Sequence, residues 1–392
     1  MTTNKMCEAE NIKEPAAGTH PISGRSVYVH VPFCRSKCRY CDFYSFAGAA
    51  EGLKEEYTLA LLRQISAAPD DRPVTTVYFG GGTPTLLGSD RLCRVLDALG
   101  KRLDIDTGAE VTVEMNPNTQ SRTDLERLRR AGFNRLSVGF QALDEKARLL
   151  LGRTHGTDDF LRCMDAARGA GFDNISADMI FALPDTEPEK DIETAEFLCS
   201  CKPEHISAYE LSYEEGTPLY GMRSRLSPPD EETVERIYDG ICAVMKKTGY
   251  GHYEISNFSL SGYEARHNVN YWKRGEYLPF GAAAHGFIGG KRFSIIRDCG
   301  EYIRRTVGRS FFEACDDLPD APMSAEEAEA ERVMLGLRLA EGIDAGERLC
   351  GEGADFIDEC KAAGLIRTDG TRIALTERGW RVSNSVIAGL IL

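Results

Sequence analysis

The sequence predicts an α/β fold: a parallel six-stranded sheet curled into a partial (β/α)6 barrel, followed by a small C-terminal winged-helix-like α+β domain. Three observations predict it. Six short runs rich in β-branched residues alternate with stretches carrying helical signals, which is how a parallel sheet is wound with helical crossovers. Six such units can curl into an open barrel, and chemistry in barrels sits at the strand C-terminal ends. Past an acidic, loop-like boundary around Asp316–Pro322, a capped helix, a short helix, a turn and a strand follow closely.

Taken in order, residues 1–24 are polar and charged, with Pro15, Gly18 and Gly24 and no apolar signal-peptide run. They are expected to form a disordered tail. The barrel is expected over 25–250, with strands at 27–31, 74–79, 110–115, 135–140, 175–180 and 205–211. Thr123-Asp124-Leu125-Glu126 reads as a capping box opening a helix that Gly132 closes. Ser227 and Pro228 open another, whose Val234, Ile237, Tyr238, Ile241, Val244 and Met245 share one face before Gly249. Residues 251–315 are aromatic- and Gly-rich and irregular, and are read as a linker region containing His267-Asn268-Val269-Asn270-Tyr271-Trp272. The C-terminal domain is expected over 323–392. Ser324 with Glu327 caps its first helix, which is expected to end near Gly342. A short helix, the turn Thr368-Asp369-Gly370-Thr371, a strand at 372–375 and a helical or extended tail complete it.

Composition narrows the function. The chain has 392 residues, 42% hydrophobic and 28% charged, enough to bury a sizeable core. Its 47 basic and 61 acidic residues give a net charge of −14, which offers no general attraction to nucleic acid or an anionic membrane. The C-terminal 323–392 carry 13 acidic and 8 basic residues, so this winged-helix-like unit is not expected to read nucleic acid. No run of about 18 apolar residues occurs. A cytoplasmic protein is expected, with peripheral membrane contact left open. Thirteen cysteines, an odd number without a signal segment, argue for free thiols in a reducing compartment.

Ten of these cysteines lie outside any three-thiol cluster; Cys34, Cys38 and Cys41 form a C-x3-C-x2-C run where the first strand ends. Three thiolates on one loop can hold three corners of a cubane iron–sulfur cluster and leave one iron open to a small molecule. Arg35, Lys37 and Arg39 add positive charge that favours thiolates. The rival is a Zn2+ site with His30 as fourth ligand. The next strand runs into Gly80-Gly81-Gly82-Thr83-Pro84-Thr85, where a ligand can approach backbone without meeting a Cβ; no Lys-Ser/Thr follows, so this is not a P-loop. Glu114, Gln141 and Asp178 fall at or near the ends of later strands.

The order of motifs resembles the radical S-adenosylmethionine superfamily. Tyr28-Val29-His30-Val31-Pro32-Phe33, Cys41-Asp42-Phe43, the Gly-Gly-Gly-Thr-Pro-Thr loop, Glu114-Met115-Asn116-Pro117 and the run from Asn134 to Gln141 carry the likeness. So do Leu151-Gly152-Arg153-Thr154-His155, Asp178 before Leu183-Pro184, His205-Ile206-Ser207-Ala208-Tyr209, and Tyr253 to Phe258. Within the superfamily they are similar to the branch of oxygen-independent coproporphyrinogen III oxidases and the related haem chaperones. The resemblance implies a [4Fe–4S] cluster on Cys34, Cys38 and Cys41, with the amino and carboxylate groups of S-adenosylmethionine on its open iron. It implies that Tyr28, Gly81, Gly82, Thr83, Glu114, Gln141, Arg153 and Asp178 line that ligand. Reduction through the cluster, by an electron donor, would release a 5′-deoxyadenosyl radical; no side chain is assigned a catalytic role.

Two departures separate the branches. The oxidases carry a further cysteine where this sequence has Phe43, and a longer segment before the barrel than the 33 residues preceding Cys34 here. His267-Asn268-Val269-Asn270-Tyr271-Trp272 matches the His-Asn-x-x-Tyr-Trp pattern of the haem chaperones. Histidine is a common axial ligand and aromatics can cover a porphyrin face, so His267 is expected to contact haem. Arg266, Lys273 and Arg274 lie close enough in sequence to meet propionates. The expected function is therefore delivery of haem to acceptor haem proteins. Oxidation of coproporphyrinogen III and a zinc-stabilised interaction protein are the alternatives.

Overall fold

A computed structural model describes residues 24–69, 72–308, 310–346 and 353–391. The tail expected over 1–24 lies, apart from Gly24, outside the described residues.

All six expected strands form: β1 (Arg25–Val31), β2 (Val74–Gly81), β3 (Ile105–Met115), β4 (Arg135–Gln141), β5 (Ile175–Phe181) and β6 (His205–Glu210). They pair in sequence order, each parallel to the next. Helices α1 (Glu51–Ser66), α2 (Ser89–Arg102), α3 (Arg122–Ala131), α4 (Glu145–Leu150), α5 (Thr157–Gly169) and α6 (Glu189–Ser200) lie in the crossovers. After β6 come α7 (Pro218–Met222) and α8 (Glu231–Lys247), the latter packed beside α6.

Side-chain alternation explains both the core and the lumen. Val27, Val29, Val77, Phe79, Val111, Val113, Leu136, Val138, Ile175, Ala177 and Ile206 alternate with polar neighbours and are buried in one continuous core beneath the helices. The opposite face carries Ser26, Tyr28, Thr76, Tyr78, Thr112, Glu114, Arg135, Ser137, Ser176, Asp178, His205 and Ser207, aligned by the strand registers. A lumen lined this way can hold a polar ligand.

The segment read as a linker is instead part of the sheet. It supplies β7 (Gly251–Glu254), β8 (Asn257–Ser259), β9 (Tyr277–Phe280), β10 (His285–Ile288) and β11 (Lys291–Ser294). The sheet runs β11-β10-β9-β1-β2-β3-β4-β5-β6-β8-β7, so β1 and β6 pair outward and the barrel stays open. These strands were hidden because each spans only three or four residues, too short to show periodicity. Pro279 lies within β9, opposite Tyr28; a proline gives no N–H to a ladder, and β9 meets β10 through the single pair Tyr277↔Phe287.

Two helix starts move. The box on α3 is Ser121 with Asp124, and Glu126 pairs with Arg122 instead; Gly132 closes the helix in the left-handed region, as read. Asp230, three residues after Ser227, caps α8, whose buried stripe is Ile237, Ile241 and Met245. Between the β8 and β9 edges, α9 (Arg266–Trp272) packs on β2, and α10 (Cys299–Arg305) follows β11.

The C-terminal domain has its own core, including Val333, Leu337, Ile357, Ile373 and Trp380. Its elements are α11 (Ala325–Gly336), capped by Ser324 and Glu327, then β12 (Ile343–Asp344) and α12 (Ala354–Ala362). After them come β13 (Ile366–Asp369), β14 (Arg372–Leu375), α13 (Glu377–Arg381) and α14 (Ser383–Ile391). The first helix stops at Gly336, where an added Cβ would meet Ile343, rather than near Gly342. The strands order β12-β14-β13, a small antiparallel sheet with helices, as expected.

Candidate functional site

The cysteine loop leaves β1 at the C-terminal rim of the barrel. Phe33–Cys34 pairs in parallel with Phe46–Ala47, closing the loop's base, and Phe46 N–H donates to the Pro32 carbonyl at 2.9 Å. Cys34, Cys38 and Cys41 are half-buried free thiols within electrostatic reach of one another. Thr83 Oγ1 lies 3.9 Å from Cys34 Sγ, and Arg153 Nη1 lies 3.6 Å from Cys38 Sγ. Gly82 lies flat against this loop: a Cβ there would be 2.8 Å from the Phe33 carbonyl oxygen and 3.0 Å from Cys34 Sγ.

The local charge does less than the sequence suggests. Burial raises the Cys34 thiol and pushes Cys41 up to about 11, outweighing Lys37. Arg39 turns away to the Leu149 and Leu150 carbonyls. Thiolate formation here would come from bound metal, which deprotonates a coordinating thiol outright.

The zinc alternative finds no fourth ligand in His30. Its Nε2 lies 2.8 Å from the Tyr44 carbonyl, which can only accept, so Nε2 carries the hydrogen. Nδ1 then accepts from the Tyr28 hydroxyl at 3.1 Å, and burial lowers the ring to about 4. Among the described residues, no three His, Cys, Asp or Glu side chains are placed to hold a single metal ion. A cubane spreads its thiolates over separate corners, and three half-buried sulfurs on one loop, facing hydrogen-bond donors and a glycine, fit that demand.

Beside the cysteines the rim gathers most of the expected ligand residues. Glu114 is half-buried; one oxygen accepts from Tyr78 Oη at 2.8 Å, the other from Gly81 N–H at 3.2 Å. Burial and the nearby Asp178 raise it to about 7, against those two hydrogen bonds. Gly81 has φ +115°, and a Cβ there would strike the His30 ring at 2.7 Å. Asp178 accepts from Ser137 at 2.9 Å and Ser176 at 3.1 Å, while its burial raises it. Gln141 closes β4 at φ +78°, an uncommon conformation for a side-chain-bearing residue. Arg153 donates to the Gly139 carbonyl, and Gly139 has no Cβ to meet Arg153, Gln141 and Asn116.

A narrow cleft beside Cys38 is lined by Thr83, Asn116, Arg153 and His155, among others. Asn116 Nδ2 donates to Thr83 Oγ1 at 3.0 Å, and both ring nitrogens of His155 are buried without a partner among the described residues. Neither residue stood among the expected ligand contacts. Both lay inside quoted motifs, and that adjacency was the available signal.

His267 is placed elsewhere. It is 1% exposed, level with Thr76 near the N-terminal end of the barrel, away from the cysteine rim. Nδ1 lies 2.7 Å from Thr76 Oγ1, which donates onward to Ser26, and Nε2 lies 2.8 Å from Tyr271 Oη. Both nitrogens are therefore taken, Nδ1 donating and Nε2 accepting. The ring stacks on Tyr78 at 5.0 Å, and burial pushes it down to about 3. Its N–H and that of Arg266 donate to Glu110. The expected haem contact is thus not available to His267 here: the motif's histidine and tyrosine plug the barrel floor. Arg266 reaches the Gly108 carbonyl, while Lys273 and Arg274 pair with Glu341 and Glu331, so the three do not form one anion site.

Residues 28–198 match the model of the radical SAM superfamily, and residues 323–382 match the HemN C-terminal domain. The chain is 33% identical to the heme chaperone HemW of Bacillus subtilis over 94% of this chain and 99% of that protein. It is 32% identical to HemW of Mycobacterium tuberculosis over 95% and 97%. Among solved structures, Escherichia coli coproporphyrinogen III oxidase (HemN), a radical SAM enzyme, superposes with a TM-score of 0.81 over 95% of this chain and 91% of that one, at 20% identity. That likeness shows the shared fold. With near-full-length identity to HemW proteins and the cysteine loop seated on an open (β/α)6 barrel, the chain belongs to the HemW family of the radical SAM superfamily.

Proposed function

We propose that this protein is a haem carrier built on a radical S-adenosylmethionine barrel, handing haem to acceptor haem proteins. The observation that supports it most is near-full-length similarity to heme chaperones combined with Phe43 following the third cysteine of the loop. Phe43 is 66% exposed on that loop, an apolar surface where the oxidase pattern has a thiol.

Cys34, Cys38 and Cys41 would hold a [4Fe–4S] cluster. Bound there, it would supply an open iron for S-adenosylmethionine and a path for an electron from a donor protein. The residues of the chain do the rest. Thr83 and Arg153 donate toward the sulfurs and offset anionic charge. The Gly81–Gly82 backbone lets the ligand lie close, and Glu114 and Asp178 offer acceptors to an ammonium or ribose hydroxyls. Tyr28 orients His30 at the rim. The His267–Trp272 segment closes the barrel floor and meets the C-terminal domain, where the Trp272 ring lies 5.5 Å from the Arg338 guanidinium.

The test is an anaerobic haem-transfer assay run beside a coproporphyrinogen III turnover assay on the same cluster-loaded protein. Haem passed to an apo-acceptor without porphyrinogen oxidation is expected. Multiple turnovers of coproporphyrinogen III to protoporphyrinogen IX would overturn the reading.

A further inference from the structure

The lumen holds one unusual charge. Arg135 is the only arginine or lysine in β2 to β6. It stands at the start of β4 opposite Thr112, on the face that also carries Ser137, and is 2% exposed. Its Nε is buried with no hydrogen-bond partner among the described residues. A guanidinium sealed from water and left short of a partner is costly, so its retention inside a polar lumen asks for a role.

Its surroundings supply one. Two carboxylates, Glu114 of β3 and Asp178 of β5, face the same lumen on either side of β4, within electrostatic reach of Arg135 and of each other. Two half-buried carboxylates facing one lumen repel one another and lose hydration, and both effects favour the protonated forms. A protonated carboxyl is a poor partner for an ammonium or sulfonium. Hydrogen bonds from Tyr78 Oη and Gly81 N–H to Glu114, and from Ser137 and Ser176 to Asp178, favour the carboxylates but bring no positive charge. From β1, β2, β6 and α9, Tyr28, Tyr78, Tyr209 and Tyr271 face Glu114, and a tyrosine carries no positive charge in either protonation state. His205 and His267, also facing Arg135, are kept neutral by burial. Arg153 reaches Asp178 from the rim but is spent on Gly139 and Cys38.

We propose that Arg135 is a positioning residue of this site, the internal counter-charge that favours the ionised forms of Glu114 and Asp178 toward a cationic ligand bearing hydroxyls. Arg135 itself lies one layer below the rim and touches no ligand. The inference deepens the proposed S-adenosylmethionine reading and rests on it for the identity of the ligand, not for the charge coupling.

The experiment follows the Glu114 carboxyl by difference infrared titration in the metal-free protein, with Glu114→Gln marking its band. In wild type it should ionise near pH 7, the value its burial sets. Arg135→Gln should move that midpoint up by at least about one unit, a tenfold change in proton affinity, while Arg135→Lys should stay near wild type. In cluster-loaded protein, S-adenosylmethionine binding at pH 7 should fall about tenfold in Arg135→Gln and recover as pH is raised. If Arg135→Gln does not fold, Arg135→Gln/Glu114→Gln should regain cooperative unfolding, because one of the two unbalanced anions is gone. A folded Arg135→Gln with an unmoved midpoint, or a double variant no better folded than the single, overturns the proposal. Absence of S-adenosylmethionine binding in wild type would instead defeat the ligand reading and leave the carboxyl titration to decide Arg135.

Discussion

His267→Ala separates a structural histidine from a haem ligand. The ring links Thr76 and Tyr271 through two buried hydrogen bonds and lies between Tyr78 at 5.0 Å and Tyr271 at 4.8 Å. Removing it strips a partner from two buried hydroxyls and deletes two aromatic contacts. Net hydrogen bonds of about 1 kcal/mol each and ring pairs of about 0.5–1.5 kcal/mol each give a loss of roughly 3–5 kcal/mol at pH 7. The loss should depend on pH in a definite direction. Burial holds His267 near 3 against an ordinary 6.5, so its stabilisation is full above 6.5 and drains away as pH falls toward 3. Alanine has no proton to gain, so the gap between wild type and variant should narrow by about 2 kcal/mol from pH 7 to pH 5. Urea unfolding of the metal-free protein followed by circular dichroism measures both quantities. Ferric haem titrated into the same samples should give the same axial-ligand spectrum in wild type and variant. A stability loss below about 1 kcal/mol, together with a changed axial spectrum, would refute the floor-plug reasoning and return haem to His267.

Three further outcomes are expected. Cys34→Ala, Cys38→Ala and Cys41→Ala should each abolish the iron retained after anaerobic reconstitution, while Cys93→Ala and Cys163→Ala should retain it; stoichiometric zinc without iron in wild type would contradict the cluster. Gly82→Ala drives a Cβ to 2.8 Å from the Phe33 carbonyl oxygen, so it should cost about 1–3 kcal/mol and reduce iron content. Gly52→Ala, whose Cβ meets nothing within 4 Å on α1, should leave iron content unchanged. Glu254 is fully buried, and that burial raises its carboxyl to about 7. Its raised pKa favours the fold below about 4.5 and that benefit is lost as pH climbs through 7. Glu254→Gln should therefore gain on wild type by about 3 kcal/mol between pH 4.5 and pH 8, read from paired denaturation curves; parallel curves would contradict it.

By itself the sequence determined what depends on local pattern. Alternation of Val27 and Val29 with Ser26 and Tyr28, repeated along six runs, gives each strand an apolar face for the helices and a polar face for a lumen. The three closely spaced cysteines stay together in any fold, because eight residues of chain cannot separate them far. The boxes of Ser324 and Glu327, and of Gly132 at a helix end, report hydrogen bonds closed within a turn. What the sequence left undecided depends on groups distant along the chain. Five short strands of 251–315 carry too few residues for a period, and only pairing makes them strands: β9 on β1, β8 on β6, and the other three on these two or on each other. Arg153 meets Cys38, and Asn116 meets Thr83, across separate strand ends. His267 looks like a ligand when its neighbours are Asn268 and Trp272. Tertiary packing brings Thr76, 191 residues away, onto one ring nitrogen and turns Tyr271 onto the other. A histidine's chemistry is set by what its two nitrogens face, and only the folded barrel supplies those partners.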